Sequence, residues 1–197
     1  LRSKIKEALA ADSLGLEAET FQEVEKEVES HLDPLTLLRF ALARPNSLEA
    51  AADMFLKSMQ WRQRRNLSHL YLTLHPSSWS SNHGSPKVAL ANAHFYGGLV
   101  GKTRDGYPLF VERLGRLDLD GVARVPEARE AVVDAYTCHL EGIFRVVRAC
   151  TAVEGRLVRA LLVVDLAGAG WSSLRHVSIL QGNSKIAVDN YPELYAP

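Results

Sequence analysis

The chain has almost no cysteine, no long apolar run and no net charge, and each shortage removes a class of function. Its 197 residues include two cysteines, Cys138 and Cys150. Both fall in one predicted helix, separated by about 18 Å of helical rise. A straight helix cannot bring them together, because bridged Cα atoms lie within about 7 Å. Reduced thiols in a cytoplasmic setting are the expectation. The longest apolar stretch, residues 157–171, is interrupted by Arg159 and Asp165 and is too short and too charged to span a bilayer. The first residues do not read as a basic-then-apolar signal segment. Lys+Arg and Asp+Glu number 23 each, so bulk charge selects neither a nucleic-acid binder nor a membrane-surface protein. With 47% hydrophobic and 23% charged residues, the chain reads as soluble, with room for one sizeable core and a small accessory lobe.

Common catalytic signatures are also missing. The seven histidines (His31, His69, His75, His83, His94, His139 and His176) include no pair at helix spacing with another His or Cys, so no metal site is expected. No Gly-x-Ser-x-Gly nucleophile turn occurs. Gly97-Gly98-Leu99-Val100-Gly101-Lys102-Thr103 looks like a phosphate-binding loop and keeps a nucleotide hydrolase as a remote alternative. That motif needs four residues between its first glycine and the Gly-Lys pair; Gly97 leaves three, and Tyr96 stands at the required place. It must also open a helix, whereas Asp105-Gly106 and Pro108 announce a turn and a strand. Gly168-Ala169-Gly170 has Ser173 where a dinucleotide fingerprint wants a third small residue. A turn with a capping serine is the expectation there. No catalytic residue and no cofactor is assigned.

What is present reads as helices first and a βαβα pattern second. Residues 1–31 carry eight acidic and four basic residues. Residues 39–65 carry Arg39, Arg44, Lys57, Arg62, Arg64 and Arg65 against Glu49 and Asp53. That segment is either a solvated helix face or a basic lobe for anionic headgroups. Phe21, Val24 and Val28 form a narrow apolar stripe. Asp33-Pro34 starts a helix with Leu35, Leu38 and Leu42 on one side, and Pro45 ends it near Ala43. Ser47 caps the next helix, which buries Leu48, Ala51, Ala52, Phe55 and Met59. Residues 76–86 read as a surface loop and residues 88–96 as a short strand. Leu109 to Leu114 alternates as a strand. Pro126 opens a long helix with a stripe through Val132, Tyr136, Leu140, Ile143, Val147 and Cys150. Residues 157–166 read as a strand of a parallel sheet buried on both faces, and a last helix spans residues 172–190. The expected fold is therefore α/β: a helical lobe over residues 1–75, a linker over 76–106 and a βαβα sheet lobe over 107–197.

Six stretches, in order, resemble the CRAL-TRIO (Sec-fourteen-like) lipid-binding family. Leu37-Leu38-Arg39-Phe40-Ala41-Leu42-Ala43-Arg44, then Ser47-Leu48-Glu49 and Trp61-Arg62, look like its small helical lobe. Asp105-Gly106-Tyr107-Pro108-Leu109-Phe110-Val111-Glu112 looks like its turn and strand. Val163-Val164-Asp165-Leu166-Ala167-Gly168 is similar to its strand end, and Asp189-Asn190-Tyr191-Pro192-Glu193 to its helix end. The resemblance implies a non-enzymatic lipid-binding or lipid-transfer module with a phospholipid, or another hydrophobic molecule, in an apolar pocket. Each buried methylene stabilises by about 0.8 kcal/mol, so two acyl chains favour such a pocket by tens of kcal/mol gross. It places the acyl wall at Phe110, Ala160, Leu162 and Val164, and an inositol headgroup at Arg44 and Glu193; Asp165 is a turn and cap residue.

Two departures from the family pattern bear on the ligand. Ala160, Leu162 and Val164 stand where phosphatidylcholine carriers present hydroxyl groups, so phosphatidylcholine is disfavoured. Pro45 replaces a lysine that often follows the arginine. The family domain continues beyond the Tyr-Pro-Glu stretch, so the resemblance implies an incomplete sheet, and the chain is expected to be a fragment, a truncated gene model or one needing a partner, with one face of Leu161–Val164 uncovered and one strand edge unpaired. Transient contact with membrane surfaces is expected, and no nucleic acid. A module of the same fold that recruits a protein partner is the main alternative.

Overall fold

The computed structural model describes residues 1–11, 16–74, 97–170 and 175–196. The expected loop and strand at 76–96 lie outside the described residues. Helices α1 (Arg2–Ala10), α2 (Ala18–Ser30), α3 (Pro34–Ala43), α4 (Leu48–Arg64) and α5 (Leu67–Leu74) come first. Strands β1 (Gly97–Lys102) and β2 (Pro108–Glu112) follow, then a 3₁₀ turn (Leu114–Arg116) and helices α6 (Leu119–Arg124) and α7 (Pro126–Glu154). Strand β3 (Leu161–Val164) and helix α8 (Val177–Asn190) complete the described elements. The fold is α/β.

The helix starts follow local chemistry. The Asp33 carboxylate accepts from Thr36 N at 2.8 Å, Pro34 takes the first helical position, and Ser47 Oγ accepts from Ala50 N at 3.1 Å. Pro126 opens α7 as expected. The buried face of α3 differs from the expected one. Leu38 and Leu42 are exposed, while Thr36, Leu37, Arg39 and Phe40 turn inward. The cause is Arg39, whose guanidinium donates to Val158 O at 2.6 Å and Glu193 O at 2.5 Å and so rotates the helix toward its acceptors.

The strands form one sheet in the order β1-β2-β3. β1 and β2 are an antiparallel hairpin, closed where Gly106 takes φ +83° at the Asp105-Gly106 turn. β2 and β3 run parallel, with Phe110 opposite Leu162 and Glu112 opposite Val164. This pairing needs the crossover that α7 supplies. After β3 the chain turns sharply: Ala167 N donates to Asp165 Oδ1 at 2.9 Å, and Gly115 N to Asp165 O at 3.0 Å. A Cβ on Gly115 would strike the Leu166 and Ala167 carbonyls, so the crossing requires glycine. The expectation that β3 is buried on both faces is not met. Leu161 and Val163 are 37% and 46% exposed, because nothing described covers the outer face of the sheet.

Two hydrophobic clusters organise the packing. The first joins α1 to α4 through Ile5, Val24, Val28, Phe40, Phe55 and Met59. The second joins α5, β2, α7, β3 and the end of α8 through Leu67, Phe110, Leu140, Ile143, Phe144 and Tyr191. Charged groups connect them. Arg62, 3% exposed, forks onto Glu141 at 2.9 and 3.0 Å and donates Nε to Glu27 at 2.6 Å. Arg65 reaches Asp134 at 2.5 Å and Arg148 reaches Asp33 at 3.0 Å. Several cations of the basic stretch are thus internal, so it does not read as one solvated or headgroup-facing lobe.

His31 sits in this seam, stacked on Phe144 at 6.1 Å between centroids. Burial, reinforced by the neighbouring Arg62 charge, holds its pKa down to about 4. The folded chain keeps this ring neutral while the unfolded chain protonates it near pH 6.5. Its contribution is complete above pH 6.5 and is lost as pH falls through the window from 6.5 to about 4. Urea titrations at pH 7 and pH 4.5 should show a fall in stability on the order of 2 kcal/mol that His31→Phe largely removes. An equal fall in the variant would assign the effect to other groups.

Candidate functional site

The inner face of the sheet is fixed by strand periodicity. Alternation places Phe110 and Glu112 of β2 on the same side, and the parallel register adds Leu162 and Val164 of β3. Helices α7 and α8 cover this face but leave a cavity of about 220 Å³. Leu162, Val164, Val132 and Leu180 give it apolar walls, and Glu112, Tyr136 and Asn183 add polar atoms. Phe110, 4% exposed, and Ala160, fully buried, lie in the second hydrophobic cluster, which Leu162 also borders. Ala160 anchors the segment after α8: its N–H donates to Leu194 O at 2.8 Å and its carbonyl accepts from Ala196 N at 2.7 Å.

The polar atoms of this face are unevenly satisfied. Glu112 Oε1 lies 3.0 Å from His139 Nε2, but the pair is misaligned and the oxygen accepts no hydrogen bond. Asn183 Oδ1 and the Tyr195 hydroxyl are also buried without a hydrogen-bond partner. Burial, and then the Glu112 charge, push the Tyr136 phenol up to about 12, and the same two causes raise Tyr195 further. Both tyrosines are therefore neutral hydrogen-bonding groups at physiological pH.

The residues expected at the headgroup are placed differently from one another. Arg44 is exposed at the end of α3 and donates to Ala43 O at 2.8 Å. Glu193 is half-buried with φ +55°, a conformation rare outside glycine. Its carboxylate is ion-paired with Arg159, and its carbonyl accepts from Arg39. Sequence reading missed Arg39 and Arg159 here, since both are distant in sequence and carry no local signal. It also missed Glu112, although its alternation with Phe110 could have placed it on the inner face. The 97–102 stretch is a strand paired with β2 and followed by a turn, with Thr103 Oγ1 accepting from Tyr107 N at 3.0 Å. A phosphate loop needs a helix N-terminus at that point, so the nucleotide-hydrolase alternative has no structural support. Among the described residues no cluster could hold a metal ion, and no helix is long and apolar enough to cross a membrane.

No protein-family model matches the chain. The Sec14 cytosolic factor of Schizosaccharomyces pombe is 30% identical over 92% of this chain and 59% of its own length. A CRAL-TRIO domain-containing protein of Saccharomyces cerevisiae is 27% identical over 86% of the chain and 54% of its own length. The chain belongs to the CRAL-TRIO family. The chain is also 24% identical, over 83% of its length, to the phosphatidylinositol/phosphatidylcholine transfer protein SFH9 of Arabidopsis thaliana. The chain spans 59% and 54% of the two yeast CRAL-TRIO relatives and 27% of the plant one.

Proposed function

We propose that this CRAL-TRIO chain is a non-enzymatic lipid-binding or lipid-transfer module, with the helices before residue 75 as one lobe and residues 107–197 as the lipid-binding part. The observation that carries the reading is the cavity between Leu162 and Val164 on the sheet and the helices α7 and α8. Apolar walls favour hydrocarbon by about 25 cal/mol per Å² removed from water. Phe110 and Ala160 back this wall. The ligand is phosphatidylinositol-like: the carboxylate of Glu193 accepts inositol hydroxyls and the exposed Arg44 meets the phosphate. The module works in the cytoplasm and touches membrane surfaces transiently. A protein-recruiting module is a second reading, favoured by the exposed Leu161 and Val163 on the outer face of the sheet.

Transfer of labelled lipid between vesicles separates these readings. Phosphatidylinositol should move faster than phosphatidylcholine, and Glu193→Gln with Arg44→Gln should slow it by about tenfold or more, the effect of losing one charge-assisted hydrogen bond. Movement of neither lipid would favour the protein-recruiting module.

A further inference from the structure

We propose that the corner between α3 and α4 is the surface by which the chain docks on anionic bilayers. The inference rests on the lipid-transfer reading and names the face that its membrane contact uses; none of its residues lines the cavity. Leu38, Leu42 and Leu48 are 39%, 41% and 51% exposed there. Leu38 and Leu42 stand one turn apart on one side of α3, with the half-buried Leu35 one turn before them. Ser47 N donates to Arg44 O at 3.2 Å, in a tight turn that leads past the exposed Pro45 and Asn46 to Leu48 at the start of α4. Singly exposed leucines are ordinary, but Leu38 and Leu42 have a common cause. Arg39, 1% exposed, donates to Val158 O and Glu193 O, and burying it turns both leucines outward. A membrane takes that apolar surface out of water again.

The charges at the corner select the occupant. The exposed Arg44 guanidinium donates to Ala43 O and has no carboxylate partner among the described residues. The acids that flank α3 are ion-paired, Asp33 with Arg148 at 3.0 Å and Glu49 with Lys4 at 3.5 Å. A guanidinium free of carboxylates beside exposed leucines fits a bilayer, whose phosphates lie outermost and whose hydrocarbon lies just beneath. A protein partner fits less well, because three part-exposed leucines fall short of the roughly 800 Å² that each side of a stable interface buries. So small an apolar face binds weakly and reversibly, as a carrier that must leave the membrane with its cargo requires. Docking also sets Arg44, read above as a headgroup contact, at the bilayer surface where a phospholipid is taken up.

The test is flotation of the full chain with vesicles of phosphatidylcholine alone and of equal parts phosphatidylcholine and phosphatidylserine. Binding to the mixed vesicles should be about fivefold tighter, the gain for one arginine at an anionic surface, and should fall as salt is raised. Leu38→Ser with Leu42→Ser should weaken it by about tenfold or more. Leu161→Ser with Val163→Ser, on the exposed outer face of the sheet, should leave it unchanged. Undiminished flotation of the α3 variant would overturn the proposal, as would loss of flotation in the sheet variant or no flotation of the unmodified chain on either vesicle. Dimerisation in the absence of vesicles that the α3 variant abolishes would also overturn it, by assigning the corner to a second copy. Native mass spectrometry of the recovered chain separates this surface from the pocket. A chain that floats through its α3 leucines yet carries no lipid mass upholds the docking surface and refutes the pocket alone.

Discussion

Glu141→Ala is expected to lower the free energy of unfolding by about 3–5 kcal/mol, the usual result of breaking a buried ion pair from one side. Glu141 is 2% exposed and accepts from both terminal nitrogens of Arg62, from Arg145 Nε at 2.9 Å and from the Tyr191 hydroxyl at 3.2 Å. Burial alone would push its carboxyl up, but the charge and hydrogen bonds of Arg62 hold it below the usual range. Removing the carboxylate leaves a buried guanidinium with Glu27 alone and strands the Tyr191 hydroxyl. The loss spreads beyond one side chain, because Arg62 joins α4 to α7 while Tyr191 packs edge-on against Trp61 at 6.0 Å. Urea unfolding measures it directly. The double variant Arg62→Met, Glu141→Leu should recover part of the stability, since an apolar pair of similar size avoids the uncompensated charge. A single variant within 1 kcal/mol of the parent would show that the seam between the two hydrophobic clusters does not depend on this network.

Val164→Trp is expected to weaken lipid binding about fifty-fold while leaving the fold intact. Val164 lines the cavity but is 43% exposed, so a larger side chain there enters open space instead of displacing core. An indole occupying the volume of three methylenes removes about 2.4 kcal/mol of favourable burial, a loss of affinity on the order of fifty-fold. Phe110→Ala makes a useful contrast. Phe110 is 4% exposed and holds the cluster behind the cavity, so its truncation should cost about 3–5 kcal/mol of stability. Circular dichroism and probe binding on the two variants distinguish a filled pocket from a weakened core. Unchanged lipid uptake in folded Val164→Trp would place the ligand elsewhere.

The readable parts of this fold are those with a local cause. Asp33-Pro34, Ser47 and Pro126 announced helix starts because capping is decided by neighbours in sequence, and the structure follows each of them. The alternation around Phe110 and the aliphatic run before Asp165 announced the two parallel strands. Burial was less legible where a long-range partner overrules polarity. Arg39 and Arg62 look like surface cations in sequence, yet their acceptors lie 35 to 154 residues away and draw them inside. Leu38 and Leu42 moved outward for the same reason. The two aliphatic positions expected at the pocket, Leu162 and Val164, share a cavity in the structure. The polar atoms beside them come from β2, α7 and α8, and the meeting of those three elements is a property of the fold.

Native mass spectrometry of the chain, after exposure to vesicles of mixed phospholipids and gentle recovery, tests the pocket most directly. The account predicts a folded charge-state distribution carrying one lipid mass, absent from Val164→Trp, with an inositol phospholipid identified on release. A folded chain that emerges bare from every vesicle composition would contradict it.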